Sequence, residues 1–84
     1  MVLVYRIEIE TDKTTGEIIA TLPTLNYTAD SGTTIEESIK RLTYLATGFV
    51  ETLMECGESI PESDPVKGSD LYLSLEIDQK VEVA

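Results

Sequence analysis

The chain has no histidine, no tryptophan, one phenylalanine and one cysteine, Cys56, in 84 residues. Without imidazole there is no Ser-His-Asp or Cys-His pair, and no imidazole metal site. A lone cysteine closes no intrachain disulfide, which suits a reducing compartment and sets the expectation of a cytoplasmic protein. As a nucleophile Cys56 is badly placed, because it falls at the end of an expected helix, where the dipole opposes a thiolate. It reads as a structural or idle thiol. The glycines Gly16, Gly32, Gly48, Gly57 and Gly68 are too scattered to cradle a phosphate. No stretch approaches the roughly 18 apolar residues of a membrane span. The first residues lack the basic segment and uninterrupted apolar run of a signal peptide.

Positive charge is also scarce. Six Lys and Arg stand against 16 Asp and Glu, a formal net charge of −10. Phosphate backbones and anionic membrane surfaces repel such a chain, so neither nucleic acid nor membrane is an expected direct partner. A basic protein is favoured, although acidity can serve solubility alone. Nothing calls for a cofactor.

What is present is enough for one domain over residues 1–84. The hydrophobic fraction of 42% is ordinary for a folded chain,. A domain this small buries only about 60–65% of its unfolded surface, so association would add apolar burial that one copy lacks. Residues 2–10 alternate, with Leu3, Tyr5, Ile7 and Ile9 on one face and Val2, Val4, Arg6, Glu8 and Glu10 on the other: a strand. Thr11 to Gly16 is turn chemistry, and Glu17 to Leu22 completes a hairpin. Pro23 stops it. A short extended piece around Leu25 to Ala29 follows, then a turn at Asp30-Ser31-Gly32.

A long helix is expected over about residues 34–56. Thr34-Ile35-Glu36-Glu37 makes a capping box, with Thr33 and Glu36 offering the same pattern one residue earlier. Ile35, Ile39, Leu42, Ala46, Phe49 and Leu53 form one stripe, widened by Leu45, Val50 and Met54. Leu42, Phe49 and Leu53 should be among the least exposed side chains. Glu36 with Lys40 and Glu37 with Arg41 are favourable pairs one turn apart. Gly57 and Pro61 end the helix. After a loop over 57–69, Leu71, Leu73, Leu75 and Ile77 alternate with Tyr72, Ser74, Glu76 and Asp78 in a last strand, which Val81 and Val83 could extend.

The fold class is therefore α+β: an antiparallel sheet, built from a hairpin plus further strands, with one long helix packed on one face. The other face carries Val2, Val4, Ile19 and Tyr72, and an apolar patch there would mark an interface between copies, a dimer or tetramer. Glu8, Glu10 and Asp12 on the first strand, with Glu76 and Asp78 on the last, could converge on hard cations if the strands were neighbours. The competing reading makes them the wet positions of amphipathic strands. Glu51, Glu55 and Glu58 crowd the negative end of the helix dipole, against local preference. A basic partner docking there would account for them, as would simple solvation.

In order and spacing, several short motifs resemble the HicB-like antitoxin family. They are Pro23-Thr24-Leu25, then Gly32, then Thr34-Ile35-Glu36-Glu37-Ser38, then Gly57-Glu58-Ser59-Ile60-Pro61. The family's P-G-C after P-x-L is Asn26-Tyr27-Thr28 here, and Ser38 takes the place of its usual alanine. The resemblance implies a partly degenerate RNase H-like fold without the nuclease carboxylates. It also implies a homo-oligomer that neutralises a small basic RNA-cleaving toxin, HicA. Many relatives add a C-terminal DNA-binding segment, whereas this sequence ends in an acidic strand, so a short form without direct DNA binding is expected. The alternatives are a solitary HicB-like interaction protein with no cognate toxin and, more remotely, a metal-dependent nuclease.

Overall fold

A computed structural model describes residues 1–77. The strands are β1 (Val2–Thr11), β2 (Ile18–Leu22), β3 (Thr28–Gly32) and β4 (Leu71–Glu76), and the helix α1 (Ile35–Glu55) lies between β3 and β4 in the chain. Asp78, Val81 and Val83 fall outside the described residues. The strands form one antiparallel sheet in the order β3-β2-β1-β4, with the helix against one face. The fold class is the one expected.

β1 is the spine, and its two halves have different neighbours. Residues 2–7 pair with β4, from Val2↔Glu76 to Ile7↔Leu71. Residues 8–11 pair with β2, from Glu8↔Thr21 to Thr11↔Ile18. The period of two sends Leu3, Tyr5, Ile7, Ala20, Leu22, Leu73, Leu75 and Ile77 into the core, where all are buried,. Asp12 builds the hairpin turn: its Oδ1 accepts from Thr14 N–H at 2.8 Å, and Gly16, at φ 77°, carries the chain back.

The third strand starts later than expected. Residues 23–27 are all consumed by a turn in which Tyr27 N–H bonds the carbonyl of Pro23, and Leu25 swings fully into the core. Asn26 and Tyr27 both take left-handed backbone, at φ 53° and 56°. Asp30, Ser31 and Gly32 form no turn; they pair with β2, ending at Ile18↔Gly32. Ladder bonding here overrides the poor strand propensity of Asp and Gly.

Thr34 is the helix N-cap, its Oγ1 accepting from Glu37 N–H at 3.0 Å. The Glu37 carboxylate returns to Thr33 N–H, closing the reciprocal pair one residue before the cap. Of the two anticipated ion pairs, Glu37–Arg41 forms at 3.4 Å. Gly57, at φ 68°, ends the helix in a Schellman arrangement: Glu58 N–H bonds Leu53 and Gly57 N–H bonds Met54,.

The buried line of the helix is Ser38, Leu42, Ala46 and Val50. Phe49 and Leu53 are only partly buried, which corrects the expectation for those two, while Leu42 is fully enclosed. Ile35 and Leu45 are 46% and 47% exposed. The helix is thus rotated so that an i,i+4 row meets the sheet. Its first turn sits so close that a Cβ on Gly32 would lie 2.7 Å from the Ser38 nitrogen.

Candidate binding surfaces

The acids of the two outer-face strands do not converge. β1 and β4 are neighbours, but they run antiparallel, so Glu76 stands opposite Val2 while Glu8 and Glu10 lie near the other end of β1. Six residues of strand separate Val2 from Glu8, about 20 Å. Asp12 is committed to its turn, and Glu8 pairs with Arg6 at 3.0 Å. Among the described residues no group of three or more His, Cys, Asp or Glu is arranged to hold a metal. Cys56 is exposed at the helix C-cap.

Glu51, Glu55 and Glu58 are all exposed at the C-terminal end of α1. The last turn of the helix contains no basic residue, and neither ion pair found among the described residues involves them. Three carboxylates therefore stand in water at the negative end of the helix dipole, with no ion-pair partner among the described residues,.

The expected apolar patch is split. Val2 and Val4 lie toward one end of the outer face, Tyr72 stands opposite Arg6, and Ile19 pairs with Glu10 toward the other end, beyond Glu8. Val2 is 57% exposed, but Val4, Ile19 and Tyr72 are partly buried. The segment between α1 and β4 supplies some of that cover. It bonds β1 on the edge away from β4, then crosses the outer face to reach β4. On the way the Tyr72 phenol accepts from Lys67 N–H at 2.8 Å and donates toward the carbonyls of Pro65 and Lys67.

Sequence reasoning missed the anchor of that segment, Asp64. β2 is too short to reach residues 2–7 of β1, and Asp64 fills the gap. Its backbone N–H donates to Val4 O at 2.8 Å, its Oδ2 accepts from Arg6 N–H at 2.8 Å, and its Oδ1 accepts from the Thr24 hydroxyl at 2.6 Å. Ser63 Oγ adds a bond from Val4 N–H. Burial works against ionising this carboxyl. The bonds from Thr24 and Arg6 N–H and the Arg6 charge outweigh burial and hold it below its ordinary range. Nearby, the enclosed Tyr5 hydroxyl donates to Pro61 O at 2.6 Å; burial first, and Asp64 second, raise its pKa.

No helix among the described residues is long and apolar enough to cross a membrane. No protein-family profile matches the chain, and no curated protein does. The structure is similar to a solved one, the N-terminal domain of the antitoxin HicB of Burkholderia pseudomallei. The TM-score is 0.68 and the identity 21%, over 92% of this chain and 100% of that one. The likeness establishes the fold.

Proposed function

We propose that this chain is a HicB-like antitoxin, which binds and neutralises a small basic RNA-cleaving toxin of the HicA type and has no catalytic site of its own. One observation carries the reading: the motif residues shared with that family are the joints of a fold similar to a HicB domain. Pro23 opens the β2–β3 turn, Leu25 plugs the core, Gly32 lets the helix close on the sheet, Thr34 caps it and Gly57 ends it. The net charge of −10 and the exposed Glu51, Glu55 and Glu58, which have no ion pair among the described residues, supply potential of the sign a basic partner needs. The nuclease alternative loses its support from Glu8, Glu10 and Glu76, which stand at opposite ends of β1.

The test is an RNA-cleavage assay on a small basic protein encoded beside this gene, titrated with the chain at low salt. Stoichiometric loss of cleavage, with a complex on gel filtration, is expected. Full cleavage with no complex at low salt would overturn the toxin partner and favour the solitary reading.

A further inference from the structure

The two edges of the sheet are finished differently. On β3, Ser31 N–H is bonded by Asp30 Oδ1 at 2.8 Å, and Ser31 O accepts from the Arg41 guanidinium at 3.3 Å. Side chains thus occupy the backbone groups a neighbouring strand would use, a common way of blunting an edge. Among the described residues β4 has no such cover. Ile77 N–H bonds Met1 O, and the Met1 ammonium bonds Ile77 O, so the odd residues of β4 face β1. Alternation turns the N–H and C=O of Tyr72, Ser74 and Glu76 outward. Those groups have no partner among the described residues. The strand Leu71-Tyr72-Leu73-Ser74-Leu75-Glu76 contains no lysine and no proline.

We infer that the free edge of β4 pairs with β4 of a second copy, antiparallel about a two-fold axis at Ser74, making one continuous sheet. The sequence is self-complementary in that register. Tyr72 faces the second copy's Glu76 and Ser74 faces its own counterpart, so all three outward residues exchange both backbone bonds. On the helix side Leu73 meets Leu75 and Leu71 meets Ile77. That contact would cover Leu71, which is 49% exposed in the single chain while Leu73, Leu75 and Ile77 are buried. A shift of two residues one way sets Asp70 against Glu76, like charges opposite one another. A shift the other way leaves Tyr72 without a strand partner. An isologous pair of this kind closes on itself and does not propagate.

The inference stands apart from the toxin reading, and salt separates the two. Two chains of charge −10 repel each other, so self-association should tighten as salt screens them, whereas binding to a basic partner should weaken. The experiment is sedimentation equilibrium of the isolated chain with three variants. Ser74→Pro removes an outward N–H and leaves the β1 ladder intact, the placement sheets tolerate. It should weaken the dimer about tenfold or more, the loss of one to two net hydrogen bonds. Ser74→Lys and Ser74→Glu each place like charges together at the axis and should also weaken it, and mixing them should restore association. A monomeric wild type, variants that associate as the wild type does, or a mixture no tighter than its components would overturn the inference. Circular dichroism checks that each variant is folded, and if Ser74→Pro is not, the Lys and Glu variants and their mixture decide.

Discussion

Asp64 holds the backbone N–H of Arg6 on its Oδ2 at 2.8 Å, so a side chain from the α1–β4 connection stands where β2 is too short to reach. The same carboxylate takes the Thr24 hydroxyl at 2.6 Å, joining three segments distant in sequence.

Replacing Asp64 with Asn should therefore destabilise the fold by about 1–3 kcal/mol at neutral pH, the usual range for bonds to a charged acceptor. The sign with pH follows from the lowered pKa in the folded state. Stability from such a group is complete above the unfolded value, about 3.9, and drains away as pH falls through the folded one. Urea melts of the two proteins should differ at pH 7 and converge below about pH 4. A gap equally wide at pH 3 would mean that the charge contributes nothing. Taking the difference between proteins removes the repulsion among the other acids, which changes over the same range.

Two glycines should respond oppositely to alanine. At Gly32 the added Cβ would meet the Ser38 nitrogen at 2.7 Å and the Glu37 carbonyl carbon at 3.1 Å. Backbone cannot step aside cheaply, so Gly32→Ala should cost about 1–3 kcal/mol. Gly48 is exposed within the helix, and a methyl added there would meet nothing within 4 Å. Gly48→Ala should add roughly 0.5–1 kcal/mol. Thermal melts of both variants decide the matter.

Leu42→Ala should cost about 2–5 kcal/mol, while Ile35→Ala should stay within about 0.5 kcal/mol. Leu42 is fully enclosed and Ile35 is 46% exposed, although both belong to one stripe in sequence. Equal losses in a denaturant titration would place Ile35 back in the core.

What could be read from sequence and what could not follows from this contrast. Period-two and capping patterns are local, so β1, β4 and the helix were legible to within a residue or two. The rotation of the helix on the sheet is a tertiary quantity, and it is what demotes Ile35 and Phe49 and promotes Val50. The role of Asp64 was hidden for a similar reason: it depends on the length mismatch between β2 and β1, which only strand pairing reveals. The acids Glu8 and Glu76 fell on the expected strands, but strand direction set them apart.

Tyr27 carries a side chain at φ 56° and is 73% exposed, an arrangement that costs an L residue about 1 kcal/mol or more. Tyr27→Gly should stabilise the chain by part of that amount, offset by the entropy glycine adds to the unfolded state. If toxin neutralisation falls while the melting temperature rises, the ring belongs to the docking surface. Unchanged neutralisation would leave it a strained turn residue.

Changing Glu51, Glu55 and Glu58 together to Gln should separate stability from binding. All three are exposed near the C-terminal end of α1, where the last turn has no basic residue, so each opposes the helix dipole. Their removal should raise the helix stability by a few tenths of a kcal/mol per residue at low salt. Association with a basic partner should slow, because surface charges act chiefly through the encounter rate. Dissociation should change less, and the effect should shrink as the Debye length falls toward about 3 Å at 1 M salt. Stopped-flow kinetics and a thermal melt on the same variant read both quantities. A chain that melts higher and binds more slowly would mean that this negative end is kept, at a cost in stability, for the partner. An unchanged on-rate would move the docking surface elsewhere and leave these three acids as solvated charges.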